Sequence, residues 1–294
     1  MRLYPTGAPR PNAHGIRPAY NLLHDYVDFD AQPSPERLSR SADQWMSVGN
    51  SGVMARITVL KQGGAVRPVI TRGAKHLRFR FVSTKTKTTQ VGEGHGEHYL
   101  ARYNEVATAV RDYEMHPYVI EVASGGKVWE YRPDAVRLLE DGTIELIEVK
   151  RTPDDLSCPD YREKLARVAE IARLCGWKFR VIYLAEIVGP PGPNKYDLTQ
   201  RVRNVDALFG SRTLAITEAE NRVAKMMTRQ GQPITWAELC GQLAPADELR
   251  ANAIIEHLLA RGKLATNLDL PLGPNTILTA ARPLHREAHA SIRL

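Results

Sequence analysis

Cysteine is scarce in this sequence and of the wrong number: Cys158, Cys175 and Cys240 are three and far apart. That excludes a disulfide framework and a structural zinc site built on paired thiolates, and leaves them as ordinary reduced residues. Long apolar runs are also missing. No stretch approaches the roughly eighteen residues of a membrane span, and Met-Arg-Leu-Tyr-Pro-Thr-Gly at the start lacks the apolar centre of a signal peptide. A cytoplasmic protein with no membrane association is the expectation. Acid is absent from one long segment. Between Arg56 and Lys87 there are nine basic residues and no Asp or Glu.

What is present is a globular composition, 43% hydrophobic and 25% charged over 294 residues, long enough for two domains. The net charge of +7 is unevenly placed: residues 1–92 hold fourteen Lys/Arg against five Asp/Glu, so the remainder is slightly acidic. In the basic segment Arg72, Lys75, Arg78, Arg80, Lys85 and Lys87 are interleaved with Phe79, Phe81 and threonines. Such a stretch suits a phosphate backbone, where each neutralised phosphate releases counterions. A solvated basic strand pair is the plainer alternative.

Chemistry concentrates further along. Glu130-Tyr-Arg-Pro-Asp134-Ala-Val-Arg-Leu is followed by Ile144-Glu-Leu-Ile-Glu-Val-Lys150, with Asp141-Gly142 between as a hairpin signal. The second segment alternates apolar and charged residues as a half-buried strand does. Pairing the two would bring Asp134 beside Glu148, with Lys150 one pleat on and on the same face. Two carboxylates of this kind hold a hard divalent cation, and an adjacent ammonium can orient water or stabilise charge on a phosphate. An exposed strand that alternates charges for solubility is the plainer reading of the same residues.

The first 45 or so residues, rich in Pro, Arg, Ser and Asp, read as a tail or partner-binding arm. Strands or extended segments are expected over 52–60 and 67–82. Glycines 92, 94 and 96 then precede a helix from about Glu97, with Leu100, Tyr103, Val106, Ala107 and Val110 at helical spacing and His116-Pro117 closing the stretch. Strands follow over 118–122, 128–138 and 143–150, a helix over 161–175 capped by Gly176, and a strand over 179–184. One central sheet with helices packed on it accommodates that order. Gly189-Pro-Pro-Gly-Pro-Asn194 marks the edge of this unit, with a connector helix near 201–209. Thr217 and Glu220 then form a capping box, further helices start at 233 and 245, and a hairpin over 263–270 and 276–279 completes a winged helix-turn-helix pattern. Its third helix carries Asp247, Glu248 and Glu256 against Arg250 and His257, so a protein-docking role stands beside DNA contact.

Several of these segments together resemble the TnsA-type transposon endonucleases, within the PD-(D/E)xK nuclease group. Phe79-Arg-Phe-Val-Ser83-Thr-Lys85 resembles that family's Ser-x-Lys segment, and Glu93-Gly-His-Gly-Glu97-His-Tyr-Leu100 its Glu-led helix. Met115-His-Pro117 stands where the family has Gln-Pro, Tyr131-Arg-Pro-Asp134 and Glu148-Val-Lys150 resemble the two catalytic strands, and Asn204-Val-Asp-Ala-Leu208 the link to a carboxy-terminal winged-helix domain. The resemblance spans about residues 67–280.

It implies an α/β fold with a restriction-endonuclease-like central mixed sheet, in an endonuclease domain over 51–210. An arm (1–50) would precede that domain and a winged-helix domain (211–294) would follow it. Catalysis would rest on Glu97, Asp134, Glu148 and Lys150, the three carboxylates binding Mg²⁺ or Mn²⁺; Glu93, one turn before Glu97, competes for the third carboxylate. Arg78, Arg80, Ser83, Lys85 and Lys87 would contact double-stranded DNA. His95, His98 and His116 have no cysteine at ligand spacing and are not read as a zinc site. The implied activity is nicking of the 5′-ended strand at transposon ends, with a DDE transposase subunit and an AAA+ ATPase regulator as partners. A stand-alone restriction, repair or phage-defence nuclease of the same fold, or a non-catalytic DNA-binding adaptor, are the alternatives.

Overall fold

Asp141-Gly142 forms the hairpin its sequence predicts. Gly142 takes the left-handed turn conformation at φ 85°, its N–H donates to the Leu139 carbonyl at 3.0 Å, and Leu139 N–H donates to Thr143 at 2.8 Å. Around it, the computed structural model describes residues 24–27, 46–48, 53–60, 65–66, 77–124, 127–189, 198–230 and 232–281. The expected extended segment over 67–76, the Pro/Gly stretch from 190 and most of the amino-terminal arm lie outside the described residues.

Strands β1 (His24–Val27), β2 (Met46–Val48), β3 (Val53–Leu60), β4 (Arg78–Val82) and β5 (Thr89–Glu93) precede helix α1 (His95–Val106). Next come β6 (Val110–Met115), β7 (Tyr118–Ser124), β8 (Lys127–Tyr131), β9 (Ala135–Leu139), β10 (Ile144–Lys150), α2 (Pro159–Leu174) and β11 (Lys178–Tyr183). The chain then forms α3 (Leu184–Val188), α4 (Gln200–Ser211), α5 (Glu218–Gln230), β12 (Ile234–Thr235), α6 (Trp236–Leu243), α7 (Glu248–Ala260), β13 (Leu264–Ala265) and β14 (Ile277–Ala280). Its described residues divide into two units, the first holding those up to His98 and Arg111–Leu184, the second Tyr99–Val110 and those from Ala185 to Ala281. Among the described residues no helix is long and apolar enough to cross a membrane.

The protein is mixed α/β. In the first unit the strands divide between two principal sheets, where one central sheet was expected. A four-stranded sheet runs β11-β10-β9-β6, with β10 antiparallel to β9 and parallel to β11. A parallel pair needs a long crossover, and α2 supplies it. The other sheet runs β1-β3-β7-β8 with β2 added on β3, so the segment read as an arm contributes two strands. Backbone pairing leaves no trace in composition, which is why that role was invisible. Val53, Ala55, Ile57, Ile120 and Val122 of this sheet share a core with Val136, Leu138, Ile144 and Leu146 of the other and Leu165, Val168 and Ile171 of α2.

Three expectations change. The stretch 128–138 is not one strand: Pro133, which has no N–H to donate, lies in the break where the chain leaves β8, paired with β7, and enters β9, paired with β10. The helix read through Val110 ends at Val106, and Val110–Met115 is a strand, in which Val110, Asp112, Tyr113 and Met115 are buried. Finally, β10 is not half-buried. Ile144 through Glu148 are all enclosed, and the charged positions are paired: Glu145 accepts from Arg137 Nε at 2.8 Å and from Arg180 Nη1 at 3.4 Å.

In the second unit, Val205 and Leu208 of α4, Trp236 and Leu239 of α6, and Ile254, Ile255 and Leu258 of α7 form one core with Leu264, Leu278 and Val106 of α1. A small antiparallel sheet, β12-β14-β13, closes it. The Thr217–Glu220 capping box is present, with Thr217 N–H to Glu220 Oε2 at 2.6 Å and Glu220 N–H to Thr217 Oγ1 at 3.2 Å.

Candidate active site

Three parts of the first unit, α1, the β8–β9 connection and β10, bring the expected catalytic residues to one end of the four-stranded sheet. Asp134 sits in the β8–β9 connection and is fixed by its own backbone: its N–H donates to Ile147 at 3.0 Å and its carbonyl accepts from His116 N–H at 2.9 Å. Its carboxylate Oδ2 accepts the Val149 N–H at 2.7 Å, one residue from both Glu148 and Lys150. Side chains alternate along β10, so Glu148 and Lys150 share a face and Val149 points to the other. Lys150 Nζ donates to Glu148 Oε1, and Tyr161 of α2 donates to the same oxygen. Tyr131, at the end of β8, donates to Glu148 Oε2 at 2.5 Å.

On the opposite face, the start of α1 packs directly on β10. A Cβ at Gly96 would lie 2.7 Å from Val149 Cγ1, closer than any real contact, so only glycine allows this approach. The next residue is Glu97. Its Oε2 accepts the Glu93 N–H at 2.9 Å and meets His116 Nε2 at 2.8 Å. Of the two candidate glutamates, Glu97 is the one whose charge bears on Asp134.

No protein-family model matches this chain, and no curated protein matches it. Its own geometry and electrostatics carry the reading.

The electrostatics are distinctive at Asp134. Burial, and then the negative charges of Glu148 and Glu97, hold its carboxyl well above the ordinary carboxylate range, against the opposing Val149 hydrogen bond and Lys150 charge. Burial alone would pull the Lys150 ammonium down, but its hydrogen bond to Glu148 and that residue's charge outweigh burial and raise it. Lys150 therefore stays a cation. Burial, then the bond to Glu148, pushes Tyr161 up to about 12, and burial with the Glu148 charge raises Tyr131 as well, so both phenols remain protonated donors.

Asp134, Glu97 and Glu148 offer oxygen donors only, the set that hard divalent cations select. The charge pattern fits such a cation, because a positive ion would relieve the repulsion that raises Asp134. Among the described residues, no three His, Cys, Asp or Glu side chains are arranged as a ready ligand cage. Each carboxylate is instead tied to a protein donor: Glu97 to His116, Asp134 to Val149, Glu148 to its tyrosines and lysine.

The expected DNA contacts fall on the ribbon formed by β4 and β5 and on its turn. Arg80 and Lys87 are exposed, Arg78 and Lys85 partly so. Ser83 differs: it is buried, and its Oγ accepts the N–H groups of Lys85 at 3.1 Å and Thr86 at 2.9 Å, so it shapes the turn from inside. Gln90 ties that turn to the sheet, donating to Thr86 and Thr88 and accepting Met115 N–H at 3.0 Å.

Sequence reasoning missed Tyr131 and Tyr161 and left His116 without a role. Tyr131 stands two residues before Pro133 inside a segment already singled out, and that proximity was its only signal. Tyr161 reaches Glu148 across a turn and a helix start, and no local pattern announces such a contact.

Proposed function

We propose that this chain is a metal-dependent DNA endonuclease with a restriction-endonuclease-like core, serving as the strand-nicking subunit of a heteromeric transposase of the TnsA type. The observation that carries the proposal is the convergence of Glu97, Asp134, Glu148 and Lys150 on one sheet end, where burial and then its neighbours' charge raise Asp134. The four-stranded sheet and its helices support it: with β7 and β8 set aside in the other sheet, α1, β6, β9, β10, α2 and β11 are helix, three strands, helix and strand in a mixed sheet. Three helices followed by a small antiparallel sheet support a winged-helix reading of the second unit.

In this proposal Glu97, Asp134 and Glu148 would hold Mg²⁺ or Mn²⁺, which when bound polarises the phosphate and lowers the pKa of a coordinated water. The protein's own groups do the rest. Lys150, held as a cation, orients water or stabilises charge growing on the phosphate. Tyr131 and Tyr161 fix the orientation of Glu148, leaving its oxygens aimed by two donors on different elements. Arg80 and Lys87, with Arg78 and Lys85, present positive charge to the DNA backbone. The DDE transposase and AAA+ ATPase enter by resemblance alone.

The test is strand-specific nicking of a transposon-end duplex with Mg²⁺ or Mn²⁺, with and without a co-encoded integrase-like protein. Asp134→Ala and Lys150→Ala should each lower nicking by about 10²-fold or more, the usual cost of a lost charge-stabilising group. Nicking that survives either change overturns the site. Robust cutting by the purified chain alone would favour the stand-alone nuclease over the transposase subunit.

A further inference from the structure

His116 combines deep burial with an uncommon backbone conformation. It is 1% exposed, and its backbone sits at φ 49°, a left-handed conformation that few residues other than glycine adopt. Such strain persists only where the surroundings enforce it. Here they do so from three sides. The His116 N–H donates to the Asp134 carbonyl at 2.9 Å, its carbonyl accepts Val66 N–H at 2.9 Å, and its ring Nε2 meets Glu97 Oε2 at 2.8 Å. The other ring nitrogen, Nδ1, is buried and has no hydrogen-bond partner. Facing a carboxylate, which can only accept, Nε2 is the donor of that contact.

We infer that His116 is a positioning residue that fixes the spacing between Glu97 and Asp134, its backbone holding one and its ring the other. This rests on the nuclease reading of the site. Glu97 comes from α1 and Asp134 from the β8–β9 connection, and a cation that needs oxygens from both requires their separation to be set in advance. His116 touches both. Groups that orient metal ligands through hydrogen bonds matter nearly as much as the ligands, since their loss typically weakens metal binding about 10- to 100-fold. The left-handed backbone has a use in this arrangement: it turns the N–H to the Asp134 loop while the side chain reaches back to α1.

Two substitutions separate the ring contact from the backbone. Asparagine tolerates the left-handed conformation but is too short to reach Glu97, whereas glutamine places an amide donor near the position of Nε2. The experiment is calorimetric titration of DNA-free full-length protein with Mn²⁺, together with the metal-free thermal midpoint. His116→Asn should weaken Mn²⁺ binding about tenfold or more while leaving the midpoint near that of the wild type, and His116→Gln should stay within about threefold of wild type. An Asn variant that binds Mn²⁺ as the wild type does overturns the inference, as does a Gln variant no better than Asn. Two variants that both fail to fold assign His116 to stability alone, and that also overturns it. If the wild type shows no saturable Mn²⁺ binding, the nuclease reading itself falls, an outcome distinct from a wild type that binds and variants that do not differ.

Discussion

Asp134 is placed against its own electrostatic preference. Burial and the charges of Glu148 and Glu97 raise its folded pKa above the unfolded value, so the folded state holds this proton more tightly. The sign follows: its contribution to stability is fully present below the ordinary carboxylate range and is lost as pH rises through the raised folded value. Asp134→Asn, whose amide oxygen can still accept the Val149 N–H, should remove that loss. In thermal melts without metal, the variant should gain on the wild type as pH rises above the ordinary carboxylate range, by roughly 2–4 °C for each ~1 kcal/mol relieved. Under the nuclease proposal it should also fail to nick DNA. A variant less stable than wild type at pH 8 would contradict the crowding of charge at this site. Asp134, Glu148 and Lys150 were legible because a turn signal and a strand period place them together; His116 and Tyr161 were not, because their contacts to Glu97 and Glu148 cross between elements and depend on packing that no local spacing encodes.

Element by element, the sequence announces what short-range chemistry controls. Asp141-Gly142 turns because glycine accepts φ 85°, and Thr217 with Glu220 caps α5 reciprocally. The distribution of strands over two sheets, and the strand at Val110–Met115, depend on distant partners and were missed. Glu220 shows how one residue serves both ranges. Besides the cap, it receives two hydrogen bonds at 2.8 Å from Arg250 of α7, joining α5 to α7. The Arg250 bonds first, and then the cap donors, lower its carboxyl to about 2. A depressed pKa gives stability that is present above the ordinary carboxylate value and is lost as pH falls from about 4.5 toward about 2. Glu220→Gln should therefore melt earlier than wild type at pH 7, with the gap closing in that acid window. Circular dichroism melts across the pH range check this, and a gap unchanged at pH 2 would refute it.

For the molecule as a whole, charge and connectivity were unequally visible. The basic excess of the first 92 residues could be counted directly. The passage of the chain between units could not. Helix α1 begins in the first unit, where Gly96 and Glu97 lie on the sheet, and from Tyr99 it belongs to the second, where Val106 joins the core of Val205, Leu208 and Leu258. Neither unit is a continuous stretch of sequence. A fragment starting at Ala185 would leave a gap where Val106 packs, at a cost of the order of 2–5 kcal/mol for a large apolar side chain. It should be insoluble or show no cooperative melt, and addition of a peptide covering Tyr99–Val110 should restore one. A sharp melt without the peptide would refute this. Glu97 and Val106 thus lie on one continuous helix while counting toward different units, so a cut anywhere between them removes an element from one unit or the other, and dividing the chain end to end yields neither unit whole.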